Sequence, residues 1–246
     1  MNTGQAIYPI PVDTIDLLDT VVRTNNGAGN NQIDINISRI SESTYITIPN
    51  KNATGRPIQV WINRQSGNVA NAPQAALNGA IDADDTTITL VNAANLPTQG
   101  FINIDNETIG YQNIVGNQIL NAWRGQNGTT AASHLTAAEV YTNNLPCINV
   151  WPTPNPPGTQ YTFVYYRMRR IQDAGTGIRT QDIPFRFIPC MTAGLAYQLS
   201  VKMPGVDPNR IMMLKSDYEQ QWTLAEQEDR EKAPIRFVPR NSFYYR

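Results

Sequence analysis

The residues best suited to chemistry gather in one stretch, FINIDNETIGYQNIVGNQILNAWRGQNGTTAASHLTAAEVY, from Phe101 to Tyr141. It holds the single histidine of the chain, His134, a lone arginine, Arg124, and the carboxylates Asp105, Glu107 and Glu139. A nucleophilic triad would have to be assembled around His134. The stretch offers it Ser133 and Glu139 but no second histidine and no cysteine. A zinc site wants three convergent N, S or O ligands, a spacing these residues lack. Asp105 and Glu107, near Phe101 and Trp123, are the best pair for glycoside hydrolysis, which commonly uses two carboxylates about 5–9 Å apart. Residues i and i+2 of a strand share a face, but Asp105-Asn106 is a turn pair that breaks this relation. Upstream, Asp82, Asp84 and Asp85 in IDADD lack the glycine and distal glutamate of a calcium loop. The expectation is a protein that is not an enzyme, with no catalytic residue, no metal site and no cofactor. His134 and Arg124 brace loops, and glutamine in place of His134 or Glu107 carries a modest stability cost.

The elements around these residues are short strands. DTTITLV, FINI, ETIGY, QILNAW and AEVY are joined by Asn, Gly and Thr residues placed where turns are required. Before them, AIYPIPV, IDLLDTVVRT, IDINISRI and RPIQVWINR repeat the pattern of antiparallel strands. After them come INVWPTPN and TQYTFVYYRMRR; the second is apolar or aromatic on both faces, as suits a strand covered on both sides. The period then changes. IPFRFIPCMTAGLAYQLSVKM places Phe187, Met191, Gly194, Leu195, Gln198 and Val201 at helical spacing. Asp207-Pro208 caps a second helix running to about Lys232, with Ile211, Leu214, Tyr218, Trp222 and Ala225 on one stripe. The ending IRFVPRNSFYYR cannot continue a helix past Pro239 and reads as an extended arm.

The fold class expected is α+β: an antiparallel β domain (1–65 plus 146–180), an inserted small β-module (66–145), and a helical region with an extended C-terminal arm (181–246). Charged residues make up 16% of the 246 residues and the net charge is −1, so no global field draws the chain to nucleic acid or membrane. Its apolar runs fall short of the ~20 residues needed to span a bilayer. The N-terminus lacks the basic region and apolar core of a signal peptide, and the distant Cys147 and Cys190 read as reduced and buried; an intracellular product is expected.

Charge is unevenly spread. Residues 66–145 carry six acids against one base, Arg124. Residues 161–190 reverse this with Arg167, Arg169, Arg170, Arg179 and Arg186 against Asp173 and Asp182. The tail adds Arg236, Arg240 and Arg246 without an acid, beside Phe237, Phe243, Tyr244 and Tyr245. A basic strand and a basic, aromatic tail suit contact with an acidic partner; arginines on a strand edge also simply discourage aggregation. The candidate interface residues are thus Arg167, Arg169, Arg170, Arg236, Phe237, Arg240, Phe243, Tyr244, Tyr245 and Arg246, with the acids of helix 207–232 as their possible counterpart on a neighbour.

The 66–145 pattern, FINIDNETIGY then AWRGQNGTTAASH then AEVY, resembles a small β-repeat of tailed-bacteriophage structural proteins. Its flanks, among them YPIPVDTIDLLDTVVRT, ISRISESTYITIPNKNATGRPIQVWINRQ, YTFVYYRMRRIQDAG and TQDIPFRFIPCMTAGLAYQLSVKMPG, resemble the tail accessory, tail tubular or head-to-tail connector proteins of short-tailed phages. The resemblance implies a homo-oligomeric ring, commonly of twelve copies, between the portal protein and the tail or nozzle proteins. It implies a place in the neck or tail of the virion, the host cytoplasm during assembly, and passing contact with DNA in the lumen. Relatives usually carry a helical segment ahead of Tyr8–Pro9. Two other readings stand beside the connector: a tail tube, nozzle or fibre-attachment component, and a glycan-binding or glycan-cleaving tail protein.

Overall fold

In the computed structural model, which describes residues 1–26, 29–155, 161–171 and 182–230, alternation of apolar and polar residues produces sheets up to Arg169 and helices after Ile188. The chain divides into two compact units, Met1–Arg170 and Ile171–Arg246. The expected boundary at residue 180 lies outside the described residues, as does the extended arm with Arg236, Phe237, Arg240, Phe243, Tyr244, Tyr245 and Arg246. The fold is mixed α+β, mostly sheet, with three α-helices among the described residues, two of them C-terminal. No helix among those residues is long and apolar enough to cross a membrane.

The first unit begins with β1 (Ile7–Pro9), β2 (Thr14–Thr24), β3 (Ile33–Asn36), β4 (Ser38–Arg39), helix α1 (Glu42–Ile46), β5 (Thr54–Gly55) and β6 (Gln59–Asn63). It continues through β7 (Ala75–Ala76), β8 (Ile88–Thr89), β9 (Gly100–Ile104), β10 (Glu107–Tyr111), β11 (Asn113–Val115), β12 (Gln118–Leu120) and β13 (Glu139–Asn143). It closes with β14 (Cys147–Trp151), β15 (Thr153–Pro154) and β16 (Tyr161–Arg169). The outer parts of the chain make a four-stranded sheet in the order β1-β14-β6-β4 and a three-stranded sheet in the order β16-β2-β3. One apolar cluster joins these sheets, drawing Val60, Ile62, Ile148 and Val150 from the first and Leu17, Val22 and Tyr161 from the second.

Strand β2 departs from strict alternation, and its pairing explains why. Thr20 faces Tyr165 but Leu17 faces Arg167, so β2 carries an extra residue there. This β-bulge turns Leu17 back toward the core after the exposed Leu18. Strand β16 lies at the edge of its sheet: Phe163 and Tyr165 pack on the core, while Tyr166 is exposed in the single chain, on the face where a helix or a neighbouring subunit is the expected cover.

Residues 75–143 form their own pair of sheets, β10-β9-β13-β7 and β11-β12-β8. Their cluster, including Leu77, Ile88, Ile102, Ile104, Ile109, Tyr111 and Val140, contains no residue from outside this segment. A smaller cluster of Ile7, Phe101, Leu145 and Cys147 joins the segment to the flanking strands. Across β6 and β14, Asn63 pairs with Cys147, so the chain leaves and re-enters the flanking sheet side by side.

The second unit is a helical hairpin. Asp207 caps α3 (Pro208–Asp229) by accepting from the Asn209 N–H at 3.2 Å, as its sequence predicts. Helix α2 (Ile188–Lys202) packs on α3 through a face different from the expected one. Cys190, Ala193 and Ser200 are buried, Tyr197 stacks on Tyr218, and a Cβ on Gly194 would stand 3.0 Å from the Tyr218 ring. Of the expected stripe Phe187 and Gly194 belong to this contact; Met191, Leu195 and Val201 are exposed. A helix with apolar residues on opposite sides gives periodicity little to choose by, and small side chains let α3 approach most closely. Arg186 pairs with Asp229 and Phe187 meets Trp222 edge-on, so the helices run antiparallel.

Candidate functional site

The polar residues singled out by sequence converge on one buried carboxylate. Strand β10 is buried along its whole length, and Glu107, 1% exposed, therefore needs internal partners. Its Oε1 accepts from Arg124 Nε and the Gly125 N–H, both at 2.8 Å. Its Oε2 accepts from Arg124 Nη2 at 2.7 Å and the Ala132 N–H at 3.1 Å. His134 Nε2 lies 2.9 Å from the same oxygen, and Nδ1 lies 2.7 Å from Asp105 Oδ2. The imidazole thus stands between the two carboxylates that a glycosidase would need to face a sugar.

Arg124 is equally engaged. Its Nη1 donates to the carbonyls of Asp82 and Asp85 at 2.5 and 3.2 Å, and Nη2 to that of Ala132 at 2.6 Å. The Arg-Gly pair follows from the geometry. Gly125 has φ +58°, and a Cβ there would stand 3.0 Å from the Ala131 nitrogen, so a side chain would be strained and crowded. Asp105 takes φ 50° in the β9–β10 turn, a conformation that Asp tolerates. The acids of IDADD make a turn, with Asp85 Oδ2 accepting from the Asp82 N–H at 2.8 Å.

These contacts tie the β9–β10 hairpin, the 124–134 loop and the 82–85 turn to one side chain. Burial pushes the Glu107 carboxyl up, and the donors from Arg124, His134, Gly125 and Ala132 outweigh it, holding it down at about 2. A general acid needs a raised value, the opposite of what holds here, while the contacts themselves hold the three loops together. Because its folded value lies below the ordinary 4.5, its stabilisation is complete above pH 4.5 and is lost as the pH falls through about 2. The melting temperature is expected to hold from pH 7 to about 5 and then drop. Asp13 and Asp34, held low by Arg167 and Arg23, add to that drop, so the Glu107→Gln difference profile isolates this carboxylate. An unchanged acid limb in that variant would remove Glu107 from the account.

The interface candidates on β16 are partly engaged within the chain. Arg167 Nη1 contacts Asp13 Oδ1 at 2.6 Å and Thr14 Oγ1 at 3.0 Å. Arg169 and Arg170 are exposed, yet each already has a partner. What sequence reasoning missed is the centrality of Glu107. The signal was present: the alternation Glu107, Ile109, Tyr111 puts an acid on an apolar face, and residues 66–145 contain a single base to meet it. No protein-family model, no curated protein and no solved structure matches this chain.

Proposed function

We propose that the chain is a structural subunit of a short-tailed phage virion: a head-to-tail connector or adaptor ring between portal and tail, with residues 66–145 as an inserted β-module. The observation that carries this reading is α2. One apolar side meets α3, and the opposite side, through Ile188, Leu195 and Leu199, is exposed. A helix with apolar side chains on two opposite sides belongs inside an assembly. The ordered resemblance of the flanking segments supports the same reading, as does the closure of the polar cluster around Glu107. The ring would sit in the neck or tail, contact the portal and nozzle proteins, and line a DNA path. Native mass spectrometry of the purified protein tests it: a closed ring is expected, of twelve copies by resemblance. A chain that stays monomeric at every concentration sinks the reading, and a different ring mass or a more distal place in the particle moves it to a tail-tube or nozzle component.

A further inference from the structure

The outer face of α2 needs a cover, and resting on the ring reading we infer that the C-terminal tail of an adjacent copy supplies it. Ile188 and Leu199 are each 50% exposed and Leu195 61%, with Met191 flanking them. Helical spacing puts these positions on the side turned away from Cys190, Ala193 and Tyr197. No charged side chain interrupts this face before Lys202 at its far end, so its occupant must be apolar along one edge.

The tail has that pattern. In an extended chain Ile235, Phe237 and Pro239 share one side, and Arg236, Val238 and Arg240 the other. Their two-residue step of roughly 6.6 Å is close to the 5.4-Å turn of a helix. The fifteen residues of α2 span about 22 Å. The twelve residues from Ile235 to Arg246 reach about 40 Å when extended, enough to traverse the face.

The starting point of the tail favours a neighbour over its own copy. Helix α3 ends beside the first turn of α2, where the Arg186–Asp229 ion pair and the Phe187–Trp222 contact occupy the end of the hairpin. A tail covering its own α2 would have to fold back over that end within Glu231–Pro234. Pro234 disfavours helical backbone at Ala233 and stiffens this link. Handing the tail onward instead makes each copy both donor and acceptor, the heterologous contact that closes a ring.

Two full-length-derived variants test this by sedimentation velocity beside the unaltered protein. One stops after Ala233; the other carries Leu195→Glu and Leu199→Glu, at exposed positions of a helix where glutamate keeps the helical circular dichroism. Each alone is expected to be a folded monomer, and mixing them should give a one-to-one pair, one intact tail on one intact face. The inference is overturned by a face variant that assembles like the unaltered chain, by a mixture that does not pair, or by an unaltered chain that is itself monomeric. Open chains of unaltered protein in place of a closed ring sink the connector reading and leave the docking in place. A normal ring from the face variant does the reverse.

Discussion

Arg124→Ala is expected to cost about 3–5 kcal/mol, the penalty for removing one partner of a buried ion pair, and to melt residues 66–145 at neutral pH. Glu107 would keep only the Gly125 and Ala132 N–H groups and His134 while remaining in the core. The carbonyls of Asp82, Asp85 and Ala132 would lose their guanidinium donor as well. Denaturant titration by circular dichroism reads the loss. A change below about 1 kcal/mol, the worth of an exposed pair, would mean that the cluster is solvated and braces nothing. Glu107→Gln belongs near the upper range too, because a neutral amide in that position turns an N–H₂ group toward donors. The modest cost expected from sequence holds for His134→Gln alone, since half of its ring contact is with the exposed Asp105.

Removing Ser66–Leu145 and joining Gln65 to Pro146 with a short Gly/Ser linker is expected to leave a cooperatively folding protein with both C-terminal helices. The joint is short because Asn63 and Cys147 are cross-strand partners, with Cα atoms about 5 Å apart. The core of the flanking sheets takes nothing from the deleted segment. The cost falls on the small cluster at the junction, where Ile7 and Cys147 lose Phe101 and Leu145; a loss on the order of 3 kcal/mol follows from the apolar surface uncovered. A single sharp thermal transition with retained helical signal is the expected result. A broad, non-cooperative transition would show that the two cores fold only together.

Much of this architecture could be read from sequence where local chemistry decides alone. Asp207-Pro208 starts α3, Asp105 makes the hairpin turn, and the Val, Ile and Tyr runs become strands. The features that escaped depend on partners distant in sequence. The bulge in β2 exists because of its register with β16. Helix α1 is a single short turn capped by Ser41, whose Oγ accepts from the Thr44 N–H at 3.2 Å, among β-branched residues that by themselves favour strand. The contact face of α2 was set by which residues are small enough for Tyr218 to approach. The candidate site was half legible: His134 and Arg124 read as braces, but the carboxylate they hold, though marked by its place on an apolar face, took on its central role only once β10 proved buried throughout.

The side-by-side passage of β6 and β14 also determines how residues 66–145 transmit force. A pull on that segment enters the flanking sheet through both strands at the same end. If the two stood alone, their ladder would open like a zipper, one hydrogen bond at a time. They are instead the two central strands, with β1 beside β14 and β4 beside β6. Extraction must slide each past an outer neighbour, so several backbone hydrogen bonds share the load in shear. Two crossings of the chain, backed by the Ile7, Phe101, Leu145 and Cys147 cluster, are therefore expected to resist a pull better than a lone hairpin would.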